Sequence, residues 1–148
     1  MRMRLAAILG VLVVGCALLV SGCKKTPSGP GPSATPIKVG AIFAETGGAS
    51  FLGAPEARTV KMFVEKLNRA GGVNGHKIEL LVKDSGGSPE KAISLAKQLI
   101  DEDKVLAILG PSTSGETMSI KDICQEGKTI LLSCAAAEKI VEPIAPFV

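Results

Sequence analysis

Apolar positions along this chain come in short unbroken runs that alternate with longer amphipathic stretches. Ile37-Lys38-Val39-Gly40-Ala41-Ile42-Phe43 reads as a strand, and residues 55–70 read as a helix with Val60, Phe63, Val64 and Leu67 on its core face. Gly71-Gly72 stops that helix, Val73-Asn74-Gly75 turns the chain, and Lys77 to Lys83 forms a second strand. Ser88-Pro89-Glu90 supplies an N-cap, a proline at the first helical position and a first-turn acid. The helix it opens carries Ala92, Ile93, Ala96, Leu99 and Ile100 inward. Val105 to Leu109 is a third strand, Ser114 to about Gly127 a third helix capped by Ser114, and Thr129 to Ser133 a fourth strand. The order is βαβαβαβ with near-continuously apolar strands. It predicts an α/β fold, a three-layer α/β/α sandwich whose parallel sheet is covered on both faces.

The pattern ahead of residue 37 is different. Arg2 and Arg4 precede sixteen uncharged, mostly apolar positions, Leu5 to Val20, which is the layout of an export signal. The segment ends in Val20-Ser21-Gly22-Cys23: a branched residue, two small ones, then a thiol that can accept a lipid. Val13-Val14-Gly15-Cys16 has the same form, but the apolar run continues past it. We therefore expect a lipoprotein signal over 1–22, lipidation at Cys23 and a Pro/Gly/Ser-rich tether over 23–36; an uncleaved N-terminal anchor is the alternative. Either places the protein in the cell envelope, on a periplasmic or extracytoplasmic face.

Charge then changes meaning. The 148 residues carry 17 basic and 14 acidic side chains, a net +3. Arg2, Arg4, Lys24 and Lys25 flank the signal, and without them the basic count falls below the acidic one. With four Phe and no Trp or Tyr, the foldable part lacks both the charge and the stacking surface of a nucleic-acid binder. Cys124, late in a helix, and Cys134, at the far end of the next strand, are too far apart for a disulfide, so two buried free thiols are expected. No metal-ligand spacing appears, and no cofactor is expected.

In a parallel sheet, ligands sit beyond the carboxyl ends of the strands, so the loops there are informative. Gly110-Pro111-Ser112-Thr113-Ser114-Gly115-Glu116-Thr117 follows a strand, opens a helix and imitates a phosphate loop. Glu116 stands where the essential lysine belongs and would repel phosphate, while Pro111 removes an N–H from the cradle. What remains is a helix N-terminus with three hydroxyl residues at its mouth, suited to one small anion such as a carboxylate. Ser114 can either cap its own helix or donate to a ligand; the residues alone leave both open. His76 lies in a turn with no triad partner, Ser94-Leu95-Ala96-Lys97 is mid-helix, and Asp101-Glu102-Asp103 is a solvated run. These readings point away from an enzyme.

Taken in order, the loops resemble a known family: the substrate-binding proteins of ABC importers in the leucine/isoleucine/valine-binding group, with the type I periplasmic-binding-protein fold. The resemblance rests on Thr46-Gly47 with Gly53, on Asn68-Arg69-Ala70-Gly71-Gly72-Val73-Asn74-Gly75 into Lys77-Ile78-Glu79-Leu80, and on Asp84. Ser88-Pro89-Glu90-Lys91-Ala92, Ile108 to Ser114 and Leu132-Ser133-Cys134-Ala135 complete it. It implies that residues 37–148 form a partial N-terminal lobe, the start of a two-lobed protein, and hence that the chain is a fragment. It further implies a ligand carboxylate held by the hydroxyl and backbone of Ser114, with backbone groups of Ser112 and Ala135 contributing. Two residues beyond Ala135 the family usually places a threonine for the ligand's ammonium group. Ala137 stands there, and Leu52 replaces an aromatic or polar contact common among relatives. The implied ligand is thus a small carboxylate, with branched-chain amino acids leading and organic or aromatic acids the alternative. The implied partner is an ABC permease in the membrane; a ligand-sensing receptor of the same fold is the rival role.

Overall fold

The computed structural model describes residues 34–148. The expected signal 1–22, Cys16, the lipidation candidate Cys23 and most of the 23–36 tether lie outside the described residues. Four strands form one sheet in the order β2-β1-β3-β4, where β1 is Ala34–Phe43, β2 His76–Asp84, β3 Ala107–Leu109 and β4 Ile130–Leu132. Every pairing is parallel, as the alternation of elements predicts. Strand β1 begins three residues earlier than its apolar run. Its register shifts between Ala34 and Ile37, where Pro36 has no N–H to offer the ladder.

Three helices return the chain between strands: α1 (Ser50–Arg69), α2 (Pro89–Lys97) and α3 (Ser114–Glu126). Ser88 caps α2 by accepting the Lys91 N–H at 3.2 Å, with Pro89 at the first position. Past Lys97 the helix widens into a π turn, Gln98–Glu102, that still delivers Leu99 and Ile100 to the core. At the end of α1, Asn68 makes two 2.8 Å bonds to the N–H and C=O of Ile78, satisfying outward-facing backbone groups of edge strand β2. His76 Nδ1–H reaches the Thr35 carbonyl at 2.8 Å and ties the starts of β1 and β2.

The two faces of the sheet are covered unequally. On one, Ile42, Ile108 and Leu131 pack with Ala92, Ala96, Leu99, Ile120 and Cys124 from α2, the π turn and α3. On the other, Ala41 and Phe43 pack with Ala57 and Val60 of α1 and with Leu80 and Val82 of β2. Helix α1 reaches only the β2–β1 half. Helices stand on both faces, as expected, but the second face is covered over its β2–β1 half, so Leu132 of β4 is 56 % exposed and Ile130 40 % exposed. The same asymmetry corrects the core face of α1. Phe63 continues the helix row of Thr59 and Val60 that overlooks the open half, so it is exposed, as is Leu67. The residues that do close on the sheet are Gly53 and Ala57, both buried, and the expected Val60, partly buried.

Gly53 allows the closest approach. A Cβ there would lie 2.5 Å from the Ala44 nitrogen and nearer still to its carbonyl, whereas one at Gly48 would meet open space. Gly53→Ala should therefore cost about 3 kcal/mol or more in chemical denaturation, as expected for forced overpacking, and Gly48→Ala almost nothing. Equal midpoints for the two variants would contradict this packing.

A second tie joins the loops after β1 and β2. Asp84 accepts the Thr46 hydroxyl at 2.6 Å, the Thr46 N–H at 3.2 Å and the Gly86 N–H at 2.9 Å. The Thr46 hydroxyl holds the Asp84 carboxyl below its ordinary 3.8; partial burial opposes this, while the two amides and the Lys91 charge reinforce it. The folded form thus releases this proton more readily than the unfolded chain. Its stabilisation is complete above the ordinary value and is lost as pH falls through 3.8 and below. Thermal unfolding of wild type and Asp84→Asn should differ near neutrality, and the difference should shrink as pH falls below 3.8.

Candidate carboxylate-binding site

Because the strands are parallel and β1, β3 and β4 are adjacent, the loops after them share one edge. That edge carries all five predicted ligand residues: Leu52 after β1, Ser112 and Ser114 after β3, Ala135 and Ala137 after β4. Leu52 lies in the first turn of α1 and is 39 % exposed. A surface depression at the opposite edge, between Ile37-Lys38 and Asp101 to Lys104, lies away from every one of these residues.

The mouth of α3 is built differently from the capping expected of Ser114. Thr113, in extended conformation, is the N-cap and accepts the Glu116 N–H at 3.4 Å. Its hydroxyl proton goes to Glu116 Oε2 at 2.6 Å, a reciprocal first-turn arrangement akin to a capping box. Thr113 suits the role because a β-branched residue readily takes the extended backbone of a cap. Ser114 is left as the first helical residue, half-buried, with its hydroxyl unengaged among the described residues. Glu116, in the place of a phosphate-loop lysine, is fully buried beneath the mouth, with Oε1 unpartnered among the described residues.

Ser112 is 4 % exposed, and its hydroxyl is used twice. It accepts the Ala44 N–H at 3.1 Å and donates to Glu56 Oε2 at 2.5 Å. Only backbone groups of Ser112 remain for a ligand. In the first turn of α3, Thr117 donates to the Thr113 carbonyl at 3.0 Å, so the hydroxyl of Ser133 on the loop after β4, 2.8 Å away, is the donor to Thr117. Ser133 Oγ in turn accepts the Ala135 N–H at 3.0 Å. That amide is already engaged, so a ligand must share or displace Ser133 to use it. Ala137 precedes the 3-10 turn Glu138–Ile140 and presents a methyl group. The side chains that hold the site but escaped the sequence reading are Glu56, Thr117 and Ser133. Only Glu56, an acid in an otherwise apolar helix entry, left a local signal.

Both cysteines in the described residues are free, but only Cys124 is buried; Cys134 is exposed at the rim of a depression beside α1, correcting the expectation of two buried thiols. Burial pushes the Cys124 thiol up to about 11. Cys134 is also raised above 9.0, by burial first and then by the Glu56 charge, with the Gly110 amide opposing. A maleimide mapped by mass spectrometry should label Cys134 in the folded protein and reach Cys124 only on unfolding. Labelling of Cys134 should accelerate about tenfold per pH unit and still be climbing at pH 9, because the thiolate is the nucleophile. Early modification of Cys124 would contradict the packing of α3.

The site is thus a helix mouth at the strand ends of a parallel α/β lobe, with the Ser114 hydroxyl unengaged among the described residues. Residues 36–147 match the family model of the periplasmic binding proteins. Over 98 residues the chain is 32 % identical to Leu/Ile/Val-binding protein homolog 7 of Brucella abortus, covering 66 % of this chain and 24 % of that protein. It superposes on the branched-chain amino acid transporter substrate-binding protein LivJ of Streptococcus pneumoniae, solved with isoleucine, at 30 % identity and a TM-score of 0.70. The match covers 72 % of this chain and 31 % of LivJ. A solute-binding protein of an ABC transporter from Rhodopseudomonas palustris, solved with 3,4-dihydroxybenzoic acid, matches at 29 % identity and a TM-score of 0.69, covering 76 % and 30 %. The chain belongs to the periplasmic binding protein family, type I, in the leucine/isoleucine/valine-binding group. It spans about a quarter of the length of the curated relatives it matches.

Proposed function

We propose that the protein to which this chain belongs is the solute-binding component of an ABC importer, taking a small carboxylate ligand and delivering it to a membrane permease. The observation that carries this reading is the Ser114 hydroxyl, unengaged among the described residues on the first turn of a thirteen-residue helix. A carboxylate placed there meets backbone N–H groups that have no partner within the helix, the positive end of the helix dipole and a side-chain donor. Binding closes a second lobe over this one, and no covalent step is involved. Lipidation at Cys23, with 24–36 as a spacer, would keep the protein at the membrane near its permease.

An amino acid is the leading ligand, in keeping with the relatives' names. One observation favours a second reading, an aromatic or other non-amino acid. Ala137 offers a methyl where an ammonium group would want a hydroxyl, and the Rhodopseudomonas relative holds a dihydroxybenzoate.

Calorimetry on the full-length protein with L-leucine and with 3,4-dihydroxybenzoate separates the two readings. Binding of either, weakened about tenfold or more by Ser114→Ala, is the expected result, since a hydrogen bond to a charged group contributes about 1.5–3 kcal/mol. Undiminished affinity in Ser114→Ala would refute the site. Tight leucine binding despite Ala137 would refute the second reading.

A further inference from the structure

We infer that Glu56 is a positioning residue of the carboxylate site: by taking the Ser112 hydroxyl proton it fixes the loop that opens α3 against β1 and α1. The inference rests on the carboxylate-binding reading above but is carried by separate geometry. The loop Gly110–Thr113 is tied to β4 through backbone, Gly110 N–H to the Leu132 carbonyl at 2.9 Å and Cys134 N–H to the Pro111 carbonyl at 3.3 Å. Toward β1 and α1 the situation differs. Among the described residues the hydrogen bonds from that loop to residues 44–60 all run through one atom, Ser112 Oγ.

That atom satisfies both sides at once. It accepts from the Ala44 N–H, immediately after β1, and donates to a carboxylate on the second turn of α1. Donation to a carboxylate gives a short, charge-assisted bond, and it orients the hydroxyl so that its lone pair faces Ala44. Two residues on from this clamp is Ser114, and one residue on is the cap Thr113. The direction of the α3 mouth is therefore referenced to β1 by the Glu56–Ser112–Ala44 chain. Glu56 also stands close enough to the β4 loop for its charge to raise the Cys134 thiol, so it faces both loops that frame the mouth.

The test uses the full-length protein with Glu56→Ala and Glu56→Gln, since the amide keeps an acceptor oxygen for Ser112 without the charge. Hydrogen exchange without ligand should rise at least tenfold at the Ala44 and Thr117 amides in Glu56→Ala, with β2 amides unchanged. In Glu56→Gln it should stay within about threefold of wild type, while Cys134 labels faster at pH 8 because the neighbouring charge is gone. Affinity for whichever of L-leucine or 3,4-dihydroxybenzoate binds should follow the same order, weakened in Glu56→Ala and rescued in Glu56→Gln. Wild-type exchange in Glu56→Ala would overturn the inference. So would loss of leucine binding in Glu56→Gln with exchange intact, which would make Glu56 a direct ligand contact. If neither compound binds wild type, the ligand reading fails while exchange still decides the role of Glu56.

Discussion

The carboxyl end of β1 is the point against which the rest of this lobe is measured. Ile42, Phe43 and Ala44 have no exposed surface, and two other segments, the start of α1 and the loop after β3, press on them. Gly53 rests on the Ala44 backbone. Gly110, in a left-handed conformation with φ near 87°, approaches the Ile42 carbonyl and the Phe43 ring at distances that leave no room for a Cβ. Ser112 then bonds the Ala44 amide. The loops packed around this strand end are thus fixed by close backbone approach at Gly53 and Gly110 and by the Ser112 hydroxyl, and of the mouth's hydroxyls only that of Ser114 is unengaged among the described residues.

That economy of contact explains which parts were legible in the sequence. The strands, the Ser88-Pro89 cap and the Gly71-Gly72 stop are signalled by neighbours within a few residues, and the structure has them all. Phe63 and Leu67 misled because helical periodicity identifies an apolar stripe without saying how wide a sheet lies beneath it. Here α1 covers the β2–β1 half, and Gly53, Ala57 and Val60 make its contact while Phe63 and Leu67 do not. Glu56 and Ser112 are 56 residues apart, and nothing local in either marks the other as its partner. The cap shifted by one residue, to Thr113, since either hydroxyl satisfies the local pattern and only the extended backbone of Thr113 selects between them.

The electrostatics of the mouth follow from the same geometry. The proposed anion site has two carboxylates beside it, and their hydrogen bonds show why they need not oppose it. Glu116 lies wholly beneath the surface and accepts the Thr113 proton, so it acts on the cap and offers no face to a ligand. Glu56 is held to one side by the Ser112 proton. Each acid is thereby committed to a hydroxyl of the loop that opens α3.

The remaining donors decide what kind of ligand this lobe can orient. In the function proposed above, the helix-mouth amides and the Ser114 hydroxyl would recognise a carboxylate regardless of what the rest of the molecule is. The β4 loop adds an engaged Ala135 amide and the Ala137 methyl, with no polar side chain for an ammonium group at that position. A lobe of this kind fixes one end of its ligand and leaves discrimination of the other end to whatever closes over it. The proposed anion mouth at Ser114 and the methyl at Ala137 lie on different loops, so a change at Ala137 leaves the Glu56–Ser112–Ala44 clamp at the end of β1 untouched.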